Sequence, residues 1–127
     1  MKVLANDGLE HEGVKLFEEA GIGIDTDTRD QESLLRVIET FDGLIVRSKT
    51  KVTREIILAG RERLKIIGRA GVGYDNIDVD AASENGIVVK FAPHGNTNST
   101  AELALTLMLS VSRKVPQAHN SLKQSVW

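Results

Sequence analysis

Two arginines and a run of glycines are the residues in this sequence best suited to holding a small anion. Arg47 is followed by Ser48, and Arg69 stands just before Gly71-Val72-Gly73. Glycine lets backbone N–H groups approach a carboxylate or phosphate closely. Arginine can grip two oxygens at once, which lysine cannot. The same residues admit a plainer reading, in which Gly71 and Gly73 permit a tight strand-to-helix turn and the arginines are solvated. Residue types alone leave both readings open.

Other chemistry finds less support. A dinucleotide fingerprint needs a third glycine three residues after Gly73, and Asn76 stands there instead. The sequence has neither a Walker phosphate loop nor a His-Glu-x-x-His zinc pattern. His11 and His119 fall in polar surroundings. His94 falls after the last strand, but no carboxylate is evidently placed to orient it as a base. Asp75 and Asp78 have a plain role in turn formation and helix capping.

Short Val- and Ile-rich runs must position these residues. They are Lys2–Ala5, Ile22–Asp25, Gly43–Val46, Leu64–Ile67 and Ile87–Val89, and each reads as a short buried strand. Helical patterns alternate with them at Glu10–Ala20, Asp30–Thr40, Thr53–Ala59 and Asp78–Asn85. Asp30, Thr53 and Asp78 are candidate N-caps, and Gly21, Gly60 and Gly86 candidate stops. Such alternation implies a doubly wound α/β fold with parallel strands and right-handed crossovers. A five-stranded flavodoxin-like order is expected, with ligands beyond the carboxyl ends of the strands. If the first and third strands are neighbours, Arg47 and Ser48 lie at the switch point and Arg69 follows on the next strand.

The last segment is different. Ser99-Thr100-Ala101-Glu102 fits a capping box. The helix after it is apolar almost all round, from Leu103 to Val111, and asks for cover on several sides. It reads either as a core helix of this domain or, preferably, as one meant for a second domain or subunit. Pro116 should kink or interrupt it. The chain runs on to Trp127 without a terminating signal, so a cut is expected there.

Composition narrows the function classes. The chain has 127 residues, 41% hydrophobic and 27% charged, an ordinary globular mixture for one domain. A net charge of −2 offers no broad basic field for nucleic acid or an acidic membrane. No cysteine is present, which excludes a disulfide scaffold and a thiolate metal site. The first residues have too short an apolar run for a signal peptide, and no stretch approaches the roughly 20 residues of a bilayer span. Cytoplasmic residence is the expectation.

The stretch Gly68-Arg69-Ala70-Gly71-Val72-Gly73-Tyr74-Asp75-Asn76-Ile77-Asp78 resembles the D-isomer-specific 2-hydroxyacid dehydrogenases. The resemblance continues through Ala81-Ala82, Gly86-Ile87-Val88-Val89, Pro93 and Asn98-Ser99-Thr100-Ala101-Glu102, and Arg47-Ser48 fits it as well. It implies a two-domain, NAD-dependent oxidoreductase in which residues 1–97 form the substrate-binding domain. Residues 98–127 would open the nucleotide-binding domain, and the helix over 99–115 would help build a homodimer or higher homo-oligomer.

Carried over by position, the amides near Gly71, Val72 and Gly73 would bind the substrate carboxylate. Arg47, Ser48 and Arg69 would line the substrate cleft, and Val72 would lie near the nicotinamide. Asn76 and Asp78 would shape the loop and cap a helix. The arginine pair favours a small phosphorylated hydroxyacid over glyoxylate, hydroxypyruvate or another D-2-hydroxyacid. The NAD fingerprint and the catalytic Arg, Glu and His of the family would all fall beyond Trp127, leaving this stretch inactive by itself. The sequence departs from many relatives at Phe91, where they carry asparagine, and a local hydrogen bond is lost with it. His94 after Pro93 only mimics the family's catalytic Pro-His, in the wrong domain. Some family members act as corepressors, a non-catalytic alternative. A receiver-type signalling domain shares the topology but needs an acidic cluster at the strand ends, where only Asp7 is placed.

Overall fold

A computed structural model describes residues 1–126; Trp127, the last residue of the expected 98–127 segment, lies outside the described residues. The apolar runs form β1 (Lys2–Ala5), β2 (Gly23–Asp25), β3 (Gly43–Val46), β4 (Ile66–Arg69) and β5 (Val88–Phe91). Between them lie α1 (His11–Glu19), α2 (Gln31–Val37), α3 (Arg54–Gly60) and α4 (Val79–Glu84), with a short 3-10 turn at Ile38–Thr40. All four strand pairings are parallel, in the order β2-β1-β3-β4-β5. This is the flavodoxin-like order expected, and it places β1 beside β3.

Alternation along the strands sorts side chains between two faces. Leu4, Leu44, Val46 and Ile67 point to one face and join Leu34, Ile38, Ile56, Ile57 and Ala81 from the helices in a single buried cluster. The other face carries Val3, Ile45 and Ile66, with Phe17 of α1 beside them around a cavity of about 220 Å³. Gly60 packs within α3 rather than serving as a left-handed stop. A Cβ there would stand 3.2 Å from both Ile38 Cγ1 and Leu64 Cβ, so the glycine admits close contact.

Helix ends explain where the strands start. Gly21 and Gly86 take positive φ, 67° and 68°. The next amide then bonds back into the helix, Ile22 N to Phe17 O and Ile87 N to Ala82 O, both at 2.9 Å. Those amides are spent on the helix, so β2 and β5 each begin one residue later than the apolar runs suggest. The run at Leu64–Ile67 is corrected more strongly. Leu64 N donates to Gly60 O at 2.8 Å, closing the turn after α3, and its side chain is buried outside any strand. The strand runs instead over Ile66–Arg69, bringing Arg69 into the sheet.

Asp30 and Asp78 cap as expected, accepting from Ser33 N and Ala81 N, each at 2.8 Å. Thr53 precedes α3 without making a cap bond, and its hydroxyl is buried with no partner.

The chain divides into two compact units, Met1–Gly95 and Asn96–Trp127. Among its described residues the second unit holds α5 (Thr97–Ser112) and α6 (Val115–Lys123). The expected capping box is not formed. Thr100 N already bonds to Asn96 O at 2.9 Å, so the helix starts before Ser99, whose hydroxyl donates to that same carbonyl. Lys114 takes a left-handed conformation between the two helices, and Pro116 sits in the first turn of α6, where a missing N–H costs nothing. Among the described residues, no helix is long and apolar enough to cross a membrane.

Candidate functional site

The sheet sets two arginines side by side. Val46 of β3 pairs with Arg69 of β4, so Arg47 leaves the sheet beside Arg69 at the carboxyl edge. Arg47 lines a cleft of about 200 Å³ with Gly8, Leu9, Glu10 and Ala70. Arg69 lines a neighbouring cleft of about 300 Å³ with Leu9, Ala70, Lys90 and Phe91. Leu9 and Ala70 are common to both. Among the described residues the one ion pair of Arg47 is a loose 3.7 Å contact with Glu10 between exposed side chains, and such a pair is worth little.

A polar network fixes the loop that carries Arg47 and Ser48. Asp7, just past β1, accepts from Arg47 N at 2.7 Å, Thr50 N at 3.1 Å and Thr50 Oγ1 at 2.6 Å. Asn6 is fully buried; its Nδ2 donates to Thr50 Oγ1 at 2.9 Å and to Arg29 O at 3.0 Å. Asn76 Nδ2 donates to Arg47 O at 2.8 Å and Thr50 O at 2.6 Å. Ser48 itself is exposed. None of the three anchors carries a periodic sequence signal; nothing in the sequence marks Asn6, and Asp7 stands there as an isolated acid.

Burial pushes the Asp7 carboxyl upward, but the Thr50 and Arg47 hydrogen bonds, helped by the charge of Lys49, outweigh it and hold the pKa below the ordinary value. A folded-state pKa below the unfolded one means a stabilising contribution present above the unfolded value and lost as pH falls through the folded value. The urea midpoint of the wild type should therefore fall on acidification below about pH 4. Asp7→Asn should show a smaller fall over that window; superimposable acid limbs would refute the assignment.

The loop after β4 is held at its flanks. Ala70 N donates to Val46 O at 2.9 Å, and Ala92 N, after β5, donates to Gly71 O at 3.0 Å. At its far end Ile77 pairs with Val52 in an isolated parallel bridge. Gly71 N is used internally, donating to Arg69 O at 2.8 Å. Among the described residues, Val72 N and Gly73 N donate to no protein acceptor. Arg69 folds its guanidinium over Gly71, with Nη1 donating to Ala70 O at 3.1 Å and Nε buried without a partner. The arrangement supplies two free amides, two guanidinium groups and, unforeseen from the sequence, Lys90 of β5 in the Arg69 cleft. Those groups suit an anion.

Other residues stand apart from that role. Asp78 caps α4, and Asp75 and His94 are exposed. No group of His, Asp and Glu among the described residues is arranged to hold a metal ion.

The family model for the D-isomer specific 2-hydroxyacid dehydrogenase catalytic domain matches residues 3–125. The D-3-phosphoglycerate dehydrogenase of Archaeoglobus fulgidus is 47% identical over the whole of this chain, and that of Methanocaldococcus jannaschii is 48% identical. The chain spans 24% of the length of each. Among solved structures, a protein from Thermus thermophilus superposes with a TM-score of 0.87 at 29% identity, covering 100% of this chain and 42% of that one. The NAD+-bound 3-phosphoglycerate dehydrogenase of Entamoeba histolytica gives 0.71 at 37% identity, covering 87% of this chain and 38% of that one.

Proposed function

The chain belongs to the D-isomer specific 2-hydroxyacid dehydrogenase family, and from that premise we propose that it is the substrate-binding part of a D-3-phosphoglycerate dehydrogenase. The whole enzyme would oxidise D-3-phosphoglycerate to 3-phosphohydroxypyruvate with NAD, a step toward serine. One observation carries the reading: Arg47 follows β3 and Arg69 ends the neighbouring β4, next to a loop whose Val72 and Gly73 amides have no internal acceptor.

The chain's own residues would bind and orient. A substrate with a carboxylate at one end and a phosphate at the other needs two anion contacts. The loop amides suit the planar carboxylate, and the guanidinium groups suit the phosphate oxygens. Fixing both ends presents the hydroxyl-bearing carbon in one orientation, which is where positioning lowers the barrier. NAD, when bound, would supply the hydride acceptor for that carbon, and a base from the rest of the enzyme would take the hydroxyl proton. Val72, an apolar side chain 37% exposed on the loop, suits the edge of a nicotinamide. The pyrophosphate half has no cradle in this loop, because Asn76 replaces the third glycine and turns its amide toward Arg47 and Thr50.

In the full-length enzyme, Arg69→Ala should lower kcat/KM for D-3-phosphoglycerate about tenfold, the lower end of what a charged hydrogen bond supports. The ratio against unphosphorylated D-glycerate should fall with it. Unchanged turnover of D-3-phosphoglycerate would remove Arg69 from the site, and a preference for glyoxylate or hydroxypyruvate would move the protein to another branch of the family.

The apolar side chains of α5 support a second element of this reading, a homodimer. Within the helical unit Leu105, Leu109 and Val111 are 57%, 65% and 77% exposed. Covering part of this apolar surface with a second copy removes it from water. Sedimentation should show concentration-dependent association that Leu105→Glu with Leu109→Glu weakens; a monomer at every concentration would contradict the assignment.

A further inference from the structure

We infer that Tyr74 and Phe91 are positioning residues, an aromatic clasp that holds the Gly71–Gly73 loop against the end of β5 and so sets how well its amides meet an anion. The effect on binding rests on the reading of that loop given above; the clasp itself does not.

The ring centroids lie 5.0 Å apart with the planes tilted by 49°, within the range favoured by the ring quadrupoles. Both residues are nearly half open to water, Tyr74 47% and Phe91 44% exposed. A shared core therefore does not explain their meeting; each ring covers part of the other. Their places in the chain give the contact its consequence. Phe91 ends β5 and pairs in register with Arg69, which ends β4. The next residue, Ala92, donates its amide to Gly71 O at 3.0 Å. Tyr74 stands at the other side of the loop, its carbonyl accepting from Ile77 N at 3.0 Å. The end of β5 thus grips the loop twice, by a backbone bond at Gly71 and by a ring contact at Tyr74. Between the grips lie Val72 and Gly73, whose amides make no bond of their own, so their position depends on the flanks. Phe91 also borders the Arg69 cleft, so a loop displaced at Tyr74 would open beside the proposed anion contact.

The test uses Tyr74→Ala, Phe91→Ala, the double variant and Tyr74→Phe. In the 127-residue chain, amide exchange of Ala92 followed by NMR should quicken about two- to tenfold in each single alanine variant, the range an aromatic pair is worth. The double variant should add little, since one contact cannot be lost twice. Tyr74→Phe should match the wild type, because it keeps the ring. Amides in the core strands, such as Ile67, should be unchanged. In the full-length enzyme the alanine variants, but not Tyr74→Phe, should raise KM for D-3-phosphoglycerate by a similar factor with kcat little altered. Unchanged Ala92 exchange, additive single effects, an equal quickening at Ile67, or a Tyr74→Phe variant that behaves like Tyr74→Ala would each overturn the clasp. If the wild-type enzyme does not use D-3-phosphoglycerate, the substrate reading fails, and Ala92 exchange still decides the clasp.

Discussion

Asn6→Ala should lose about 3 kcal/mol of folding stability, the cost of leaving a few buried polar groups without partners. Asn6 is wholly shielded from water and serves both hydrogen-bonding roles. Its Nδ2 donates to Thr50 Oγ1 and Arg29 O, and its Oδ1 accepts from Arg29 N at 2.9 Å. Thr50 Oγ1 is engaged both ways, receiving from Asn6 while donating to Asp7. An alanine leaves Arg29 N and O and the Thr50 hydroxyl short of a partner. It also frees the Arg47–Thr50 loop on one side. Urea unfolding should show a lower midpoint at unchanged slope, the mark of lost stability rather than a changed unfolded state. A loss below about 0.5 kcal/mol, the size of an ordinary surface substitution, would mean the network is not needed. Because the Asn6 amide still donates to Ile45 O at 3.0 Å, the strand pairing itself should survive.

Gly71→Ala should leave the fold intact and weaken handling of a phosphorylated substrate by about tenfold, as much as Arg69→Ala, the loss of about one charge-assisted hydrogen bond. The backbone at Gly71 is not in the left-handed region, so alanine brings no conformational strain. It does bring a methyl group. A Cβ built there overlaps Arg69 Nη1 and stands 2.9 Å from Cζ. The obstacle is the free end of a flexible side chain, so the guanidinium must leave the loop while the backbone stays. Melting temperature should hold or rise slightly, because alanine has less unfolded-state entropy to lose. In the full-length enzyme KM for D-3-phosphoglycerate should rise steeply, and Gly71→Ala combined with Arg69→Ala should be little worse than Gly71→Ala alone. Full activity in Gly71→Ala would show that the guanidinium does its work from another position.

These two residues mark where sequence reasoning stops. Gly71 is legible as a residue that admits close approach, but residue types point to a ligand as what approaches, and the structure puts Arg69 there. Asn6 carries no signal at all, because one polar residue after an apolar run looks like any loop residue. By contrast, Asp30 and Asp78 are legible as caps, since a cap acts on amides only two or three residues away. The Ser99 box fails although it obeys the same local rule, because α5 has already begun at Thr97.

Period, caps and glycine stops act over a few residues, so the sequence by itself determined that these strands and helices exist, their order along the chain and their parallel winding, but not the bounds of β4. Arg47–Thr50 and Asp7 lie about 40 residues apart, and Asn76 comes nearly 30 after Arg47. The crossover that sets β1 beside β3 brings Asp7 to the Arg47–Thr50 loop, and the one that sets β4 on the other side of β3 brings Asn76 to it. The tertiary structure therefore decided which polar side chains hold the loop, where Arg69 rests and which aromatic rings meet. Hydrogen bonds and ring contacts end within a few ångströms, and a chain has no local record of which distant residues will come that near.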